Sequence, residues 1–118
     1  MLFRSGPEGA KAIAEALKVN AVLTILSLGD NSIGDEGASR GREGAIAIAE
    51  ALKVNAVVTT LLLNGNNIGN EGAIAIAEAL KVNAALTKLY LWNNDLGDAG
   101  EKAVRDAVED RSGFELML

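Results

Sequence analysis

The string EGAIAIAEALKVNA runs from Glu43 to Ala56 and again, unchanged, from Glu71 to Ala84, a step of 28 residues. Pro7 to Asn20 carries a close third copy, and a divergent fourth begins at Asp98 and continues through Ala103, Val104, Ala107 and Val108. Units of this length bury an apolar face only against their neighbours, so near-copies in tandem predict a stack. Within the copies, Gly72, Ile76, Ala79, Leu80 and Asn83 recur at helical steps and define an inner helix face. The flanking Ala73, Ala75 and Ala77 are small enough for adjacent helices to approach closely.

Between the helical segments lie three apolar runs with one spacing: Leu23, Leu26 and Leu28, then Val58, Leu61 and Leu63, then Leu86, Leu89 and Leu91. The last two positions of each run are two apart, so on a strand both point into the core while the residues between them point out. An asparagine follows each run, then Ile-Gly or Leu-Gly: Asn31 before Ile33-Gly34, Asn66 before Ile68-Gly69, Asn94 before Leu96-Gly97. Where the chain leaves the sheet its backbone groups lose their partners. A side-chain amide replaces them, and stacked copies form a ladder worth about 1 kcal/mol per bond. Asp35, Asn70 and Asp98 stand one residue past a glycine, where a helix cap belongs, and Asn20, Asn55 and Asn83 close the helices.

These spaced residues together resemble the ribonuclease inhibitor-like class of leucine-rich repeats, the class also found in NLR immune receptors and in Ran GTPase-activating protein. The resemblance implies an α/β solenoid, a short right-handed horseshoe segment of about four parallel strands and four helices, forming one domain over residues 1–118. It implies a non-enzymatic scaffold for protein–protein contact. The strand-to-helix turns contain no arginine that matches the catalytic role of the GTPase-activating member, so that activity is not carried over.

Composition narrows the function further. The 118 residues include no cysteine and no histidine, which removes disulfides, thiol chemistry and the commonest acid, base and metal ligand. A formal net charge of −5 argues against a nucleic-acid partner. Glu8, Lys11 and Glu15 interrupt the first apolar stretch, so no signal peptide or membrane span is read there, and a cytoplasmic setting is the expectation. Asp30, Asp35, Glu36, Glu71, Asp95 and Asp98 gather in the turns, but at the repeat period, as solvated turn residues do. No catalytic residue, cofactor or metal site is expected.

The outward positions of the strands form columns. One runs Ile25, Thr60, Lys88 and Glu115, a second Ser27, Leu62, Tyr90 and Met117, a third Gly29, Asn64 and Trp92. Tyr90 and Trp92 are half of the four aromatic residues and share one strand. Aromatic anchors dominate interface energies, so Thr60, Leu62, Asn64, Lys88, Tyr90, Trp92 and Met117 are the candidate protein-binding residues. The plain alternative is that Trp92 covers its neighbour's turn.

The ends differ. Glu101 and Arg105 replace the alanines that would touch a following helix, and Leu116 and Leu118 complete a fourth strand, so this end reads as finished. At the other end Ala12, Ala16 and Val19 match Ala47, Ala51 and Val54, as though another repeat preceded them, and the strand at Ile25 has an open edge. A cap formed by residues 1–5, a homodimer joined through this face, or a longer protein of which the chain is the C-terminal part would each cover it. Self-association through Ala12, Ala16, Val19 and Ile25 is favoured. Finally, Leu17 to Leu52 is 35 residues, seven more than the regular step. The surplus at 36–42 contains glycines 37 and 41, with Gly44 just beyond, and a protruding loop is expected there.

Overall fold

The computed structural model describes residues 7–17, 25–27, 38–66 and 68–118, with side chains described for 11–16, 44–66 and 68–118. Leucines two apart and alanine-rich helical segments alternate along the chain, and the elements alternate with them. The order is α1 (Pro7–Leu17), β1 (Ile25–Ser27), α2 (Ala38–Val54), β2 (Thr60–Leu62), α3 (Gly69–Leu80), β3 (Lys88–Tyr90), α4 (Asp98–Val108) and β4 (Glu115–Met117). The four strands form one parallel sheet in chain order, and each helix packs on the next in sequence. One strand layer and one helix layer give a slab 35 × 34 × 18 Å. This is an α/β solenoid.

Its interior is a row of aliphatic side chains shared between units. Ile48, Leu52, Leu61, Leu63, Ile76, Leu86, Leu89 and Leu91 are its largest fully buried side chains, each stabilising the fold by about 1.5–3 kcal/mol through burial. Leu61 aligns with Leu89, which aligns with Leu116, so the inward column is continuous through β4. The inner helix face lies where the spacing predicts: Gly72, Ile76, Ala79, Leu80 and Asn83 are all buried.

Two expectations are corrected. Residues 38–42 are the first turns of α2, not a protruding loop. Seven residues are about two helical turns, so the surplus lengthens the helix without rotating its buried face, and packing against both neighbours outweighs the glycine penalty. The second concerns caps. Helix α3 begins at Gly69 and α4 at Asp98, so Asn70 and Asp98 lie inside their helices, and neither helix has a side-chain cap of its own. Instead the Asn70 Oδ1 accepts the backbone N–H groups of Gly97 (2.8 Å) and Gly100 (2.9 Å), capping the next helix. Gly69 does turn at φ +70°; Gly97 has φ −92°, and what restricts it is Asn70, 2.9 Å from where a Cβ would stand. Asn20, Asn31, Asp35 and residues 1–5, for which the sequence predicts caps, a ladder position and an end cover, lie outside the described residues.

Candidate functional site

A strand that buries every second side chain must present the others. With Leu61 and Leu89 inside, Thr60, Leu62, Lys88 and Tyr90 face outward. The register stacks them: Ile25 beside Thr60, Lys88 and Glu115; Ser27 beside Leu62, Tyr90 and Met117. The first two columns read from the sequence are therefore columns of the sheet, and Gly29 of the third lies outside the described residues. Asn64 and Trp92 follow at the next outward position, joined by a backbone bond from the Gly65 N–H to the Trp92 carbonyl (3.1 Å).

The face has a polar corner that positions an aromatic. The Tyr90 hydroxyl donates to Glu115 (3.0 Å), the Lys88 ammonium pairs with the same carboxylate (3.5 Å), and that ammonium lies 5.9 Å from the Tyr90 ring centroid. Lys88 and Glu115 offset each other's charge, leaving Leu62, Tyr90, Trp92 and Met117 as a neutral, mainly apolar patch on an acidic protein. Trp92 is 46% exposed and Met117 45%; Thr60, Leu62, Asn64, Lys88 and Tyr90 are half-buried. A ring restrained before contact loses less entropy on binding. Trp92 does not lie down over its neighbour's turn to the point of burial.

Two side-chain ladders hold this face in place. At the strand exit, the Asn94 Nδ2 donates to the Leu63 and Leu91 carbonyls (2.8 Å each) while its Oδ1 accepts from the Asn66 N–H (2.7 Å); Asn66 repeats the pattern toward Leu63 (2.8 Å). Left-handed backbone at Asn93 (φ 61°) and Asp95 (φ 57°) turns Asn94 inward and leaves Trp92 outward. At the helix exit, the Asn83 Nδ2 donates to the Leu52 (2.7 Å) and Asn55 (2.8 Å) carbonyls of the preceding unit, and its Oδ1 accepts the N–H groups of Ala85 and Leu86.

Arg111 continues the second ladder, which the sequence reading missed. Its guanidinium donates to the Leu80 (3.2 Å), Asn83 (2.9 Å) and Leu86 carbonyls, and lies 4.9 Å from the Phe114 ring. The available signal was its place, 28 residues after Asn83.

The remaining candidates stand apart from the sheet face. Ala12 and Ala16 are exposed on α1; the backbone of Ile25 lies on β1, and Val19 is outside the described residues. Arg105 and Glu101 pair on the surface of α4 (3.3 Å). On the same helix the Lys102 amine is held above its usual range, first by its hydrogen bond to Asp106 (2.6 Å) and then by that carboxylate's charge. A groove of about 290 Å³ lies between the C-terminal ends of α3 and α4, lined by Leu80, Val82, Ala84, Ala107 and Arg111 among others. Among the described residues no group of three or more acidic side chains is placed to hold a metal ion, and no helix is long and apolar enough to cross a membrane.

Comparison with known proteins identifies the architecture. The family described as Leucine Rich repeat matches residues 19–40 and 54–77. A solved structure named Leiomodin-1 Actin-Binding Site 2 superposes with a TM-score of 0.80 at 28% identity, over 94% of this chain and 62% of that one. This chain thus spans less than two thirds of that neighbour's length. No curated protein matches. The fold is a leucine-rich repeat solenoid of parallel strands and four helices.

Proposed function

We propose that this chain is a non-enzymatic protein-interaction module of the ribonuclease inhibitor-like class, with the outward sheet face as its contact surface. The observation that carries the reading is the neutral patch around Tyr90 and Trp92, with the Tyr90 ring tethered by Glu115 and Lys88. Leu62 and Met117 flank Tyr90 in one column, and Thr60 and Asn64 border it. Large, partly exposed aromatics beside satisfied polar groups are what protein interfaces place at their centre. The neighbour's name, an actin-binding site, supports a protein partner and makes actin the first candidate to test. A cytoplasmic setting belongs to the same reading, as the actin-binding neighbour suggests. No cofactor, nucleic acid or membrane enters it.

The test compares the wild-type chain with Tyr90→Ala and Trp92→Ala, using purified actin and proteins captured from a lysate. Each substitution is expected to weaken capture about 30-fold, the equivalent of about 2 kcal/mol. Ile74→Ser, on the exposed side of α3, is expected to leave it unchanged. Full capture by both aromatic variants sinks the assignment.

A second reading, self-association through the first helix, is favoured by one contrast. Ala16 is exposed, whereas its counterparts Ala51 and Ala79 are 0% exposed under a preceding helix. A homodimer joined at Ala12, Ala16, Val19 and Ile25 is the closed arrangement this supports. Light scattering is expected to give a dimer that Ala16→Glu dissociates; a monomer at all concentrations removes the reading.

A further inference from the structure

Among the asparagines of this chain only Asn64 is followed by glycine. A glycine on the C-terminal side leaves its amide nitrogen without a neighbouring side chain to block approach to the asparagine carboxamide. Among the other described asparagines, Asn55, Asn66, Asn83 and Asn94 are buried with hydrogen-bonded side-chain amides, Asn70 holds the start of α4, and the exposed Asn93 is followed by asparagine rather than glycine. Asn64 differs from all of them. It is half-buried in the turn after β2, and its side-chain amide makes no hydrogen bond among the described residues. The following Gly65 is left-handed, at φ 73°.

The geometry points to the Asn64–Gly65 bond as a self-modifying site, where the chain converts asparagine to aspartate or isoaspartate on the sheet face. The Gly65 nitrogen gives up its proton to hydroxide and attacks the Asn64 Cγ. A carbon–nitrogen bond forms, the carboxamide nitrogen leaves as ammonia after taking a proton from solvent, and a five-membered succinimide remains. Water then adds to one of the two ring carbonyls and breaks its bond to the shared nitrogen. Opening at one carbonyl gives aspartate, at the other isoaspartate. One water is consumed, one ammonia is released, and nothing is oxidised or reduced.

The fold supplies the gate. The attacking nitrogen is the one whose hydrogen is donated to the Trp92 carbonyl at 3.1 Å, so reaction waits for that bond between adjacent units to open. The product adds one negative charge to a patch whose only described charges, Lys88 and Glu115, already offset each other. Isoaspartate also inserts a methylene into the backbone between two cross-strand bonds, Leu63 N–H to Tyr90 and Gly65 N–H to Trp92.

The inference stands whether or not the sheet face binds a protein, because the test needs no partner. The purified full chain and a synthetic peptide of residues 61–66 are incubated side by side at neutral and mildly alkaline pH, then mapped by mass spectrometry. Asn64 in the chain is expected to convert before any other asparagine, faster at the higher pH, and about fivefold or more slowly than in the peptide. That factor is the restraint imposed by one backbone hydrogen bond of ordinary strength. Asn64→Gln, which keeps the amide and lengthens the ring it would have to form, is expected to stop the mass change in this segment. Conversion that begins at another asparagine, or an intact Asn64 long after the peptide has gone to completion, overturns the site. Equal rates in chain and peptide overturn the gate.

Discussion

Arg111 shows how one side chain stands in for a whole repeat position. Asn83 uses one amide to tie the preceding helix exit and to receive the next turn, and 28 residues later a guanidinium spans three carbonyls. A lysine reaches with a single point charge and lacks that fork. Arg111→Lys is therefore expected to lower unfolding free energy by about 1–3 kcal/mol in urea titration, whereas Arg111→Asn recovers part of the loss by copying Asn83. The ladder of Asn66 and Asn94 was legible from their period alone, because an asparagine after an apolar run has one physical use. Arg111 was not, since the same use was met by a different residue. Asn70 was legible as a cap but not as the cap of α4: spacing within one unit says nothing about the helix beside it.

Among the elements, the contact of α3 with α4 turns on small residues. A Cβ at Gly100 would stand 2.6 Å from the Asn70 Oδ1 and 3.2 Å from the Ala73 Cβ. Alanine gains about 1 kcal/mol in helix propensity there but displaces the cap and crowds the interface, costs of about 1–3 kcal/mol. Gly100→Ala is expected to destabilise the chain, and to do so less in an Asn70→Ala background, where the oxygen is gone. A double-mutant cycle by urea unfolding checks it, and additive effects would contradict the geometry. Strand positions and helix faces were readable from periodicity, as Leu61, Leu89 and Ile76 demonstrate. The start of α2 was not, because glycine content at 37 and 41 argues locally for a loop while helix continuity is decided by packing on neighbours. The outward face was readable as columns for the same reason the core was, since one alternation defines both. What could not be read was the tether on Tyr90, which joins residues 25 apart in sequence.

For the whole molecule, stability is divided among the boundaries between units, because each unit is closed by atoms of the next. Removing residues 57–84, one full period, is expected to leave a folded chain with a cooperative urea transition and an m-value lower by about a quarter. Noncooperative melting of that deletion would mean that the boundaries are not equivalent. The reason lies in the helix-exit ladder: with those residues gone, Arg111 meets the Leu52 and Asn55 carbonyls where it now meets Leu80 and Asn83. A side chain that addresses its target by counting one period back is indifferent to which copy it finds. Such a chain can grow or shrink by unequal exchange between its own coding repeats, and the product inherits working joints without a single compensating change.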